Sequence, residues 1–303
     1  MQTAVIETQH LHFAFQAGQK ILDDLNLQVS TGSIYGFLGP NGAGKTTTLR
    51  LLLGLLKKQE GDLTLFGRHF QRHRLDILRR IGSLIEQPSL YLHLTGKENL
   101  EIFRLTYQCD KNRINEVLQV VGLQQAANKK AKNYSLGMKQ RLAIAIALLH
   151  DPEVLILDEP TNGLDPNGII ETRELIKQLN REFGKTILVS SHLLSEVEKM
   201  ATHVGIIHKG KLLFQGSLQQ LKQLQSQQSV VEIEVNDAIK AQQVIKDHFS
   251  VKHVNGTRLV VDYESRERSA LLNKLLVQQD VEVYQMAVTQ NDLENLFIQI
   301  TAQ

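Results

Sequence analysis

Residues 39–46 read GPNGAGKT, which fits the phosphate-cradling pattern G-x-x-x-x-G-K-[ST]. Gly39, Gly42 and Gly44 let the backbone curl until its N–H groups converge on phosphate oxygens, and Pro40, Asn41 and Ala43 complete the loop. Lys45 has the reach for β- and γ-phosphates. Thr46 opens a helix whose positive end favours the same anion, and its hydroxyl can take one position on Mg²⁺. Thr47 adds a further phosphate contact. Downstream, residues 154–159 read VLILDE. Four apolar residues make a buried strand, with Asp158 and Glu159 at its C-terminal end, where open parallel sheets hold their ligands. Asp158 would hold Mg²⁺ through water, and Glu159 would polarise an attacking water. Loop and carboxylate pair together describe phosphoryl transfer.

These groups need a scaffold that brings distant segments to one edge. Residues 5–14 and 20–29 alternate apolar and polar as paired strands do, with a turn at 16–19. Residues 33–38 form a short apolar run bounded by glycines, followed by the loop and a helix over 46–56. Strands are predicted at 61–66, 81–85, 154–157 and 186–190, and an amphipathic helix at 168–183. Helical periodicity covers 96–108, 111–121 and 137–149. Strands alternating with helices predict a parallel sheet with a helical insertion near 90–150. A glutamine-rich stretch, 215–228, reads as a helix ending in a linker. Beyond it come a strand at 229–235, a helix at 237–248, strands at 251–254 and 258–263, a helix at 265–278, a strand at 281–287 and a helix at 291–300. The expected organisation is an α/β nucleotide-binding domain over 1–220 and a small α+β domain over 221–303.

Composition removes several alternatives. The chain has 303 residues, 42% of them hydrophobic and 22% charged, with 5 Pro, which excludes a disordered or collagen-like chain. There are 34 Lys and Arg against 32 Asp and Glu, too even a balance for nucleic-acid binding by charge. Residues 221–303 hold 8 basic and 11 acidic residues, leaving 26 and 21 in the first 220, so the mild basic excess lies with the phosphate loop. The single cysteine, Cys109, allows no intrachain disulfide or zinc cluster and fits a cytosolic setting. The opening MQTAVIETQH has no signal-peptide pattern. The longest apolar run, residues 142–149, is far below the roughly 18 residues of a membrane span.

Three further segments complete a set. Residues 134–141 read YSLGMKQR ahead of a helix, residues 161–166 read TNGLDP, and His192 follows the strand TILVSS. In this order and spacing the motifs resemble those of the ATP-binding subunit of an ABC transporter, across roughly residues 4–220. The resemblance implies a P-loop NTPase fold of ABC type: a mixed sheet with N-terminal antiparallel strands and a helical insertion. It implies ATP as substrate and Mg²⁺ as cofactor. Phe15 stands where an aromatic stacks on adenine, with Phe13 as its rival. Residues 39–47 bind the phosphates. Ser135 and Gly137 belong to the signature that closes over ATP held by the opposite subunit. Asp165 lies in the loop joining the two subunits, and His192 resembles the switch histidine that contacts the γ-phosphate. A homodimer beneath separate transmembrane permease subunits, on the inner face of the cell membrane, is expected, with ATP hydrolysis driving the permease.

The sequence departs from the family pattern in two places. The signature, usually LSGGQ, has Tyr134 for leucine, Leu136 for the first glycine and Met138 for glutamine. Residues 81–88 read IGSLIEQP. Glu86 then stands where the family has a glutamine that contacts Mg²⁺ and the attacking water, while an alternative register uses Gln87. Glutamate here, with YSLGMKQR and TNGLDP, resembles the exporters that protect bacteria against lantibiotics, and bacitracin-resistance exporters look similar. Tyr91 and Leu92, in SLYLHLTGKENL, would face the permease or pack within the helical insertion. Another drug, a lipid or an ion is the alternative cargo. A non-transport ATPase acting on ribosomes or DNA is the remote alternative, since the chain has neither a second fused ATP-binding domain nor a long coiled-coil insertion.

Overall fold

The computed structural model describes residues 3–16, 18–86, 89–227 and 230–289. Two compact units divide the chain, Met1–Leu218 and Gln219–Gln303. At the centre of the first unit, strands Ile34–Leu38, Val154–Leu157 and Thr186–Ser191 are buried at every position. A strand covered on both faces cannot alternate, which is why each reads as a short, largely unbroken apolar run. They belong to a six-stranded sheet in the order Lys211–Ser217, His203–His208, Ile34–Leu38, Thr186–Ser191, Val154–Leu157, Ile81–Leu84. Only the first two of these strands pair antiparallel. The five parallel strands end at one edge. Gly39, His192 and Asp158 directly follow three neighbouring strands, and Glu86 lies two residues beyond the fourth, so all four leave the sheet at this edge.

A second, antiparallel sheet is built around Ala4–Ala14, flanked by Lys20–Leu25 and Glu60–Leu65, with Gln28–Ser30 and Arg68–His69 as short additions. The segment 20–29, read as one strand, is two strands separated at Asn26 and Leu27. Phe13 joins the buried cluster with Ile6, Leu11, Leu22 and Leu63. Phe15, beyond the end of its strand, stays exposed.

The helical segment comprises Gly96–Tyr107, Asn112–Val120 and Leu136–Leu148. Thr95 and Glu98 form a reciprocal capping box at the first of these helices. Fully buried Asn99 accepts from Tyr91 N and donates to Tyr91 O and Thr95 O, pinning the preceding loop to that helix. Leu136–Leu148 runs close beneath the sheet, where a Cβ on Gly82 would lie 2.2 Å from Ala147 O.

The structure departs from the sequence expectations at further places. The helix predicted over 46–56 is Lys45–Leu52; Gly54 turns the chain at φ 65°. Residues 215–217, predicted helical, finish the strand Lys211–Ser217, and the helix is Leu218–Gln227. The strand His203–His208, and the short helices Phe70–Leu78 and Leu194–Glu198, had no counterpart in the sequence reading. Tertiary partners explain the strands His203–His208 and Lys211–Ser217. Buried Tyr35 donates its hydroxyl to Gln215 Oε1 at 2.8 Å, and its ring lies over Gly205, where a Cβ would be 2.2 Å from the phenolic oxygen. Such cross-strand packing overrides the helical bias of a glutamine-rich segment.

In the second unit, Val230–Val235, Ala238–Ile245, Val251–Asn255, Arg258–Asp262, Arg266–Gln278 and Val283–Thr289 form a β-α-β-β-α-β unit of ferredoxin-like type. Its antiparallel sheet runs Val251–Asn255, Arg258–Asp262, Val230–Val235, Val283–Thr289. Ala241 and Ile245 of one helix and Leu272 and Leu276 of the other pack with Val231, Ile233, Leu259 and Val261 as a separate core. The helix expected at 291–300 lies outside the described residues.

Candidate functional site

The phosphate loop joins the central strand Ile34–Leu38 to the helix Lys45–Leu52. Its glycines answer specific demands. Gly44 has φ 110°, and a Cβ there would lie 2.7 Å from Leu22 Cδ2; a Cβ on Gly39 would lie 2.4 Å from Ile207 O. Gly44 is also the N-cap and offers no side-chain cap to the first turn, whose N–H groups suit an anion instead. Lys45 is buried; its ammonium donates to Gly39 O at 2.7 Å and Pro40 O at 3.3 Å and stands 3.2 Å from Glu159 Oε1. Ala43 is buried beneath the loop and accepts from Gly210 N at 2.9 Å.

Three strands, Ile34–Leu38, Val154–Leu157 and Thr186–Ser191, carry or lead into the groups that contribute the chemistry. Thr46 donates its hydroxyl to Asp158 Oδ2 at 2.8 Å. Fully buried Ser190, on the strand that leads to His192, donates to Asp158 Oδ1 at 2.5 Å and accepts from Glu159 N at 2.9 Å. His192 Nδ1 shares a 2.8 Å hydrogen bond with Glu159 Oε2. Glu159 adopts a left-handed backbone, φ 47°, unusual for a residue with a Cβ, and Asn162 N closes the turn on its carbonyl at 3.0 Å. The turn aims the carboxylate across to Lys45 and His192.

Ser190 did not emerge as a site residue from the sequence. Among the described residues its hydroxyl is the one side-chain group hydrogen-bonded to both Asp158 and Glu159. A serine ending a buried strand beside a site histidine is the signal that could have found it.

Lys45, Thr46, Glu159 and His192 line a cleft of about 390 Å³ together with Phe15, Ile21, Asn41, Gly42, Gly44, Thr47 and Asn162, while Asp158 and Ser190 lie buried behind it. Phe15 is therefore the aromatic at the cleft, held edge-on against core residue Phe13 at 4.9 Å between ring centroids. The donor set fits the groups expected there. A hydroxyl and a carboxylate oxygen in contact suit a hard cation that keeps waters and takes phosphate oxygens as its other ligands. The uncapped helix end and the lysine suit the phosphates.

Ser135, Gly137 and Asp165 do not line this cleft. Ser135 is exposed and N-caps Leu136–Leu148, accepting from Met138 N at 3.2 Å. Asp165 N-caps Pro166–Arg181, accepting from Gly168 N at 3.0 Å. Leu136 leans towards Gly163, whose added Cβ would meet Leu136 Cδ2 at 3.4 Å. Tyr134 is buried and donates to Ala126 O at 2.7 Å. Glu86 lies outside the cleft lining too, ion-paired with Arg50, and has φ 63°. Gln87, the alternative, lies outside the described residues.

The family model for ABC transporters matches residues 22–162. The bacitracin transport ATP-binding protein of Bacillus licheniformis is 45% identical over 301 residues, 98% of this chain and 97% of that protein. The lantibiotic transport ATP-binding protein of Streptococcus pyogenes is 45% identical over 195 residues, 64% of this chain and 83% of its own. Among solved structures, an ATP-binding subunit of an ABC transporter is 28% identical with a TM-score of 0.64, covering 73% of this chain and 92% of that one. A dimeric ATP-binding cassette in a post-hydrolysis state with ADP and Pi is 27% identical with a TM-score of 0.63, covering 70% and 98%. Among the described residues no helix is long and apolar enough to cross a membrane. Fold, cleft chemistry and relatives agree: the chain belongs to the ABC transporter family, as an ATP-binding subunit that hydrolyses ATP.

Proposed function

We propose that two copies of this chain face each other head to tail and power a separate membrane permease that removes bacitracin, a lantibiotic or a related membrane-active peptide from the cell surface. One observation carries the division of the site. The cleft holds Lys45, Thr46, Glu159 and His192, whereas Ser135 and Gly137 sit at an exposed helix start outside it. A second copy supplies that start to the first copy's nucleotide. ATP then joins the copies, and hydrolysis releases them.

Within each cleft Phe15 stacks on the adenine, residues 39–47 grip the phosphates, and Lys45 moves from Glu159 to the phosphate oxygens as they enter. Thr46 and Asp158, joined by Glu86, would hold Mg²⁺, which when bound neutralises charge on the phosphates. Glu159 orients the attacking water and accepts its proton, and His192, braced on Glu159, faces the γ-phosphate. Asp165 caps the helix that enters the subunit junction. Catalysis is positioning and charge stabilisation. The permease would hold the chain at the inner face of the membrane.

The cargo reading rests on similarity. The match to the bacitracin transport protein extends across 98% of this chain and so spans the second unit; that to the lantibiotic protein extends across 64%. Bacitracin is therefore the first peptide to test. The chain, with its permease subunits, is expressed in a sensitive Gram-positive host, and growth inhibition by bacitracin and by several lantibiotics is compared with a Glu159→Gln control. Protection against one peptide, lost in the control, supports the reading. Equal sensitivity of both strains to every peptide refutes the cargo class and points to another drug, a lipid or an ion.

A further inference from the structure

Glu86 follows the edge strand Ile81–Leu84 and turns out of it in a left-handed conformation, φ 63°. Such a conformation in a residue with a Cβ persists where the surroundings hold it, and here the carboxylate is held by the Arg50 guanidinium. Arg50 is in the last turn of Lys45–Leu52, the helix whose first turn carries Thr46. Positions 46 and 50 are four apart and share a helix face, one turn or about 5.4 Å along the axis. The Thr46 hydroxyl is bonded to Asp158, so the helix that carries the arginine partner of Glu86 also carries a group of the candidate cation site. Both candidate partners of Glu86, the arginine and the cation site, lie on one stripe of one helix.

We propose that Arg50 is a positioning residue that holds Glu86 back from the Mg²⁺–nucleotide site, so that the glutamate carboxylate passes between the two cationic partners as metal and nucleotide bind. The inference rests on the reading of Glu86 as a metal contact. It explains what the departure from glutamine does here: an amide would be held weakly by a guanidinium, whereas a carboxylate is held by charge and by a planar fork of donors. The pair is solvent-accessible, with side-chain exposures of 35% for Arg50 and 61% for Glu86. Its hold is accordingly modest, which suits a contact broken in every cycle.

The test is binding of a non-hydrolysable ATP analogue to the full chain, followed by calorimetry at several free Mg²⁺ concentrations and in EDTA. Arg50→Gln frees Glu86 and is expected to tighten Mg²⁺-dependent binding about two- to fivefold, the range for an exposed ion pair, without changing binding in EDTA. Arg50→Lys, which keeps the charge and loses the fork, falls between. With Glu86→Gln in place, Arg50→Gln has no effect. If Arg50→Gln leaves the Mg²⁺ dependence unchanged while Glu86→Gln alters it, the latch is overturned and the metal contact stands. A change of equal size in EDTA, or in the Glu86→Gln background, also overturns the latch, because Arg50 then acts on the helix itself. If Glu86→Gln alone leaves the Mg²⁺ dependence unchanged, the metal assignment falls and the latch falls with it.

Discussion

Replacing Ser190 by alanine tests the geometry of the site without touching a group that contacts the nucleotide. The hydroxyl is fully buried and makes two bonds: it donates to Asp158 Oδ1 at 2.5 Å and accepts from Glu159 N at 2.9 Å. The first is charge-assisted and contributes about 1.5–3 kcal/mol; losing the second leaves a buried N–H unpaired, which costs about 1–3 kcal/mol. Asp158 keeps Thr46 as a partner, so the combined loss is set at about 2–5 kcal/mol. For a domain of this size each kcal/mol lowers the midpoint by about 2–4 °C, so the ATP-binding unit should melt roughly 4–20 °C lower. Turnover should fall as well, about tenfold or more, because both carboxylates lose the hydroxyl that fixes them and misplacement of catalytic groups is costly. Nucleotide affinity, which the proposed function assigns to the loop and Lys45, should change little. Thermal unfolding followed by calorimetry and steady-state ATPase assays read both quantities. Ser190→Thr, which keeps the hydroxyl, should recover much of each. A Ser190→Ala protein with unchanged melting temperature and kcat would refute the claim that this hydroxyl organises the two carboxylates.

Other consequences can be measured independently. Lys45→Ala removes the ammonium proposed to bind the phosphates and should weaken ATP binding at least tenfold by calorimetry, while unchanged affinity would contradict the loop assignment. Gly96→Ala places a Cβ 2.2 Å from the Tyr134 hydroxyl. Overpacking of this kind costs about 1–3 kcal/mol, and Tyr134→Phe, by removing that oxygen, should make the double variant less unstable than the two single losses combined. His150 is half-buried between Ile81 O, 3.0 Å from its Nε2, and the Tyr107 ring, and burial lowers its pKa. The unfolded chain then binds the extra proton first, so this residue's contribution to stability is full above about pH 6.5 and is lost as pH falls from there towards the depressed folded value. In urea titrations between pH 7 and 5, His150→Gln should flatten the decline in stability; an identical slope would show that His150 has no part in it.

Much of the site was legible in the sequence because its chemistry depends on residue types at fixed local spacing. A phosphate loop needs glycines where a Cβ would collide, a lysine and a hydroxyl, and these are neighbours along residues 39–47. Buried parallel strands must be apolar on both faces, so the runs ending at Leu38, Leu157 and Ser191 announced themselves, and with them the positions of Asp158, Glu159 and His192. The second unit's strands and helices were readable from their apolar periodicity, although its first strand pairs with the third and fourth strands and only the second and third pair as neighbours in the chain. Other features depend on partners far away in the chain. Ser190 matters only because parallel pairing sets it beside the end of Val154–Leu157. The strands at 203–208 and 211–217 exist because Tyr35, 180 residues before Gln215, packs over Gly205 and bonds to that glutamine. That Phe15 and not Phe13 reaches the cleft depends on which ring the core buries. The partner of Glu86 was invisible because Arg50 is 36 residues away on a different element. Sequence determined which groups could do the chemistry; tertiary structure decided which of them meet, because hydrogen bonds and ion pairs depend on distance in space.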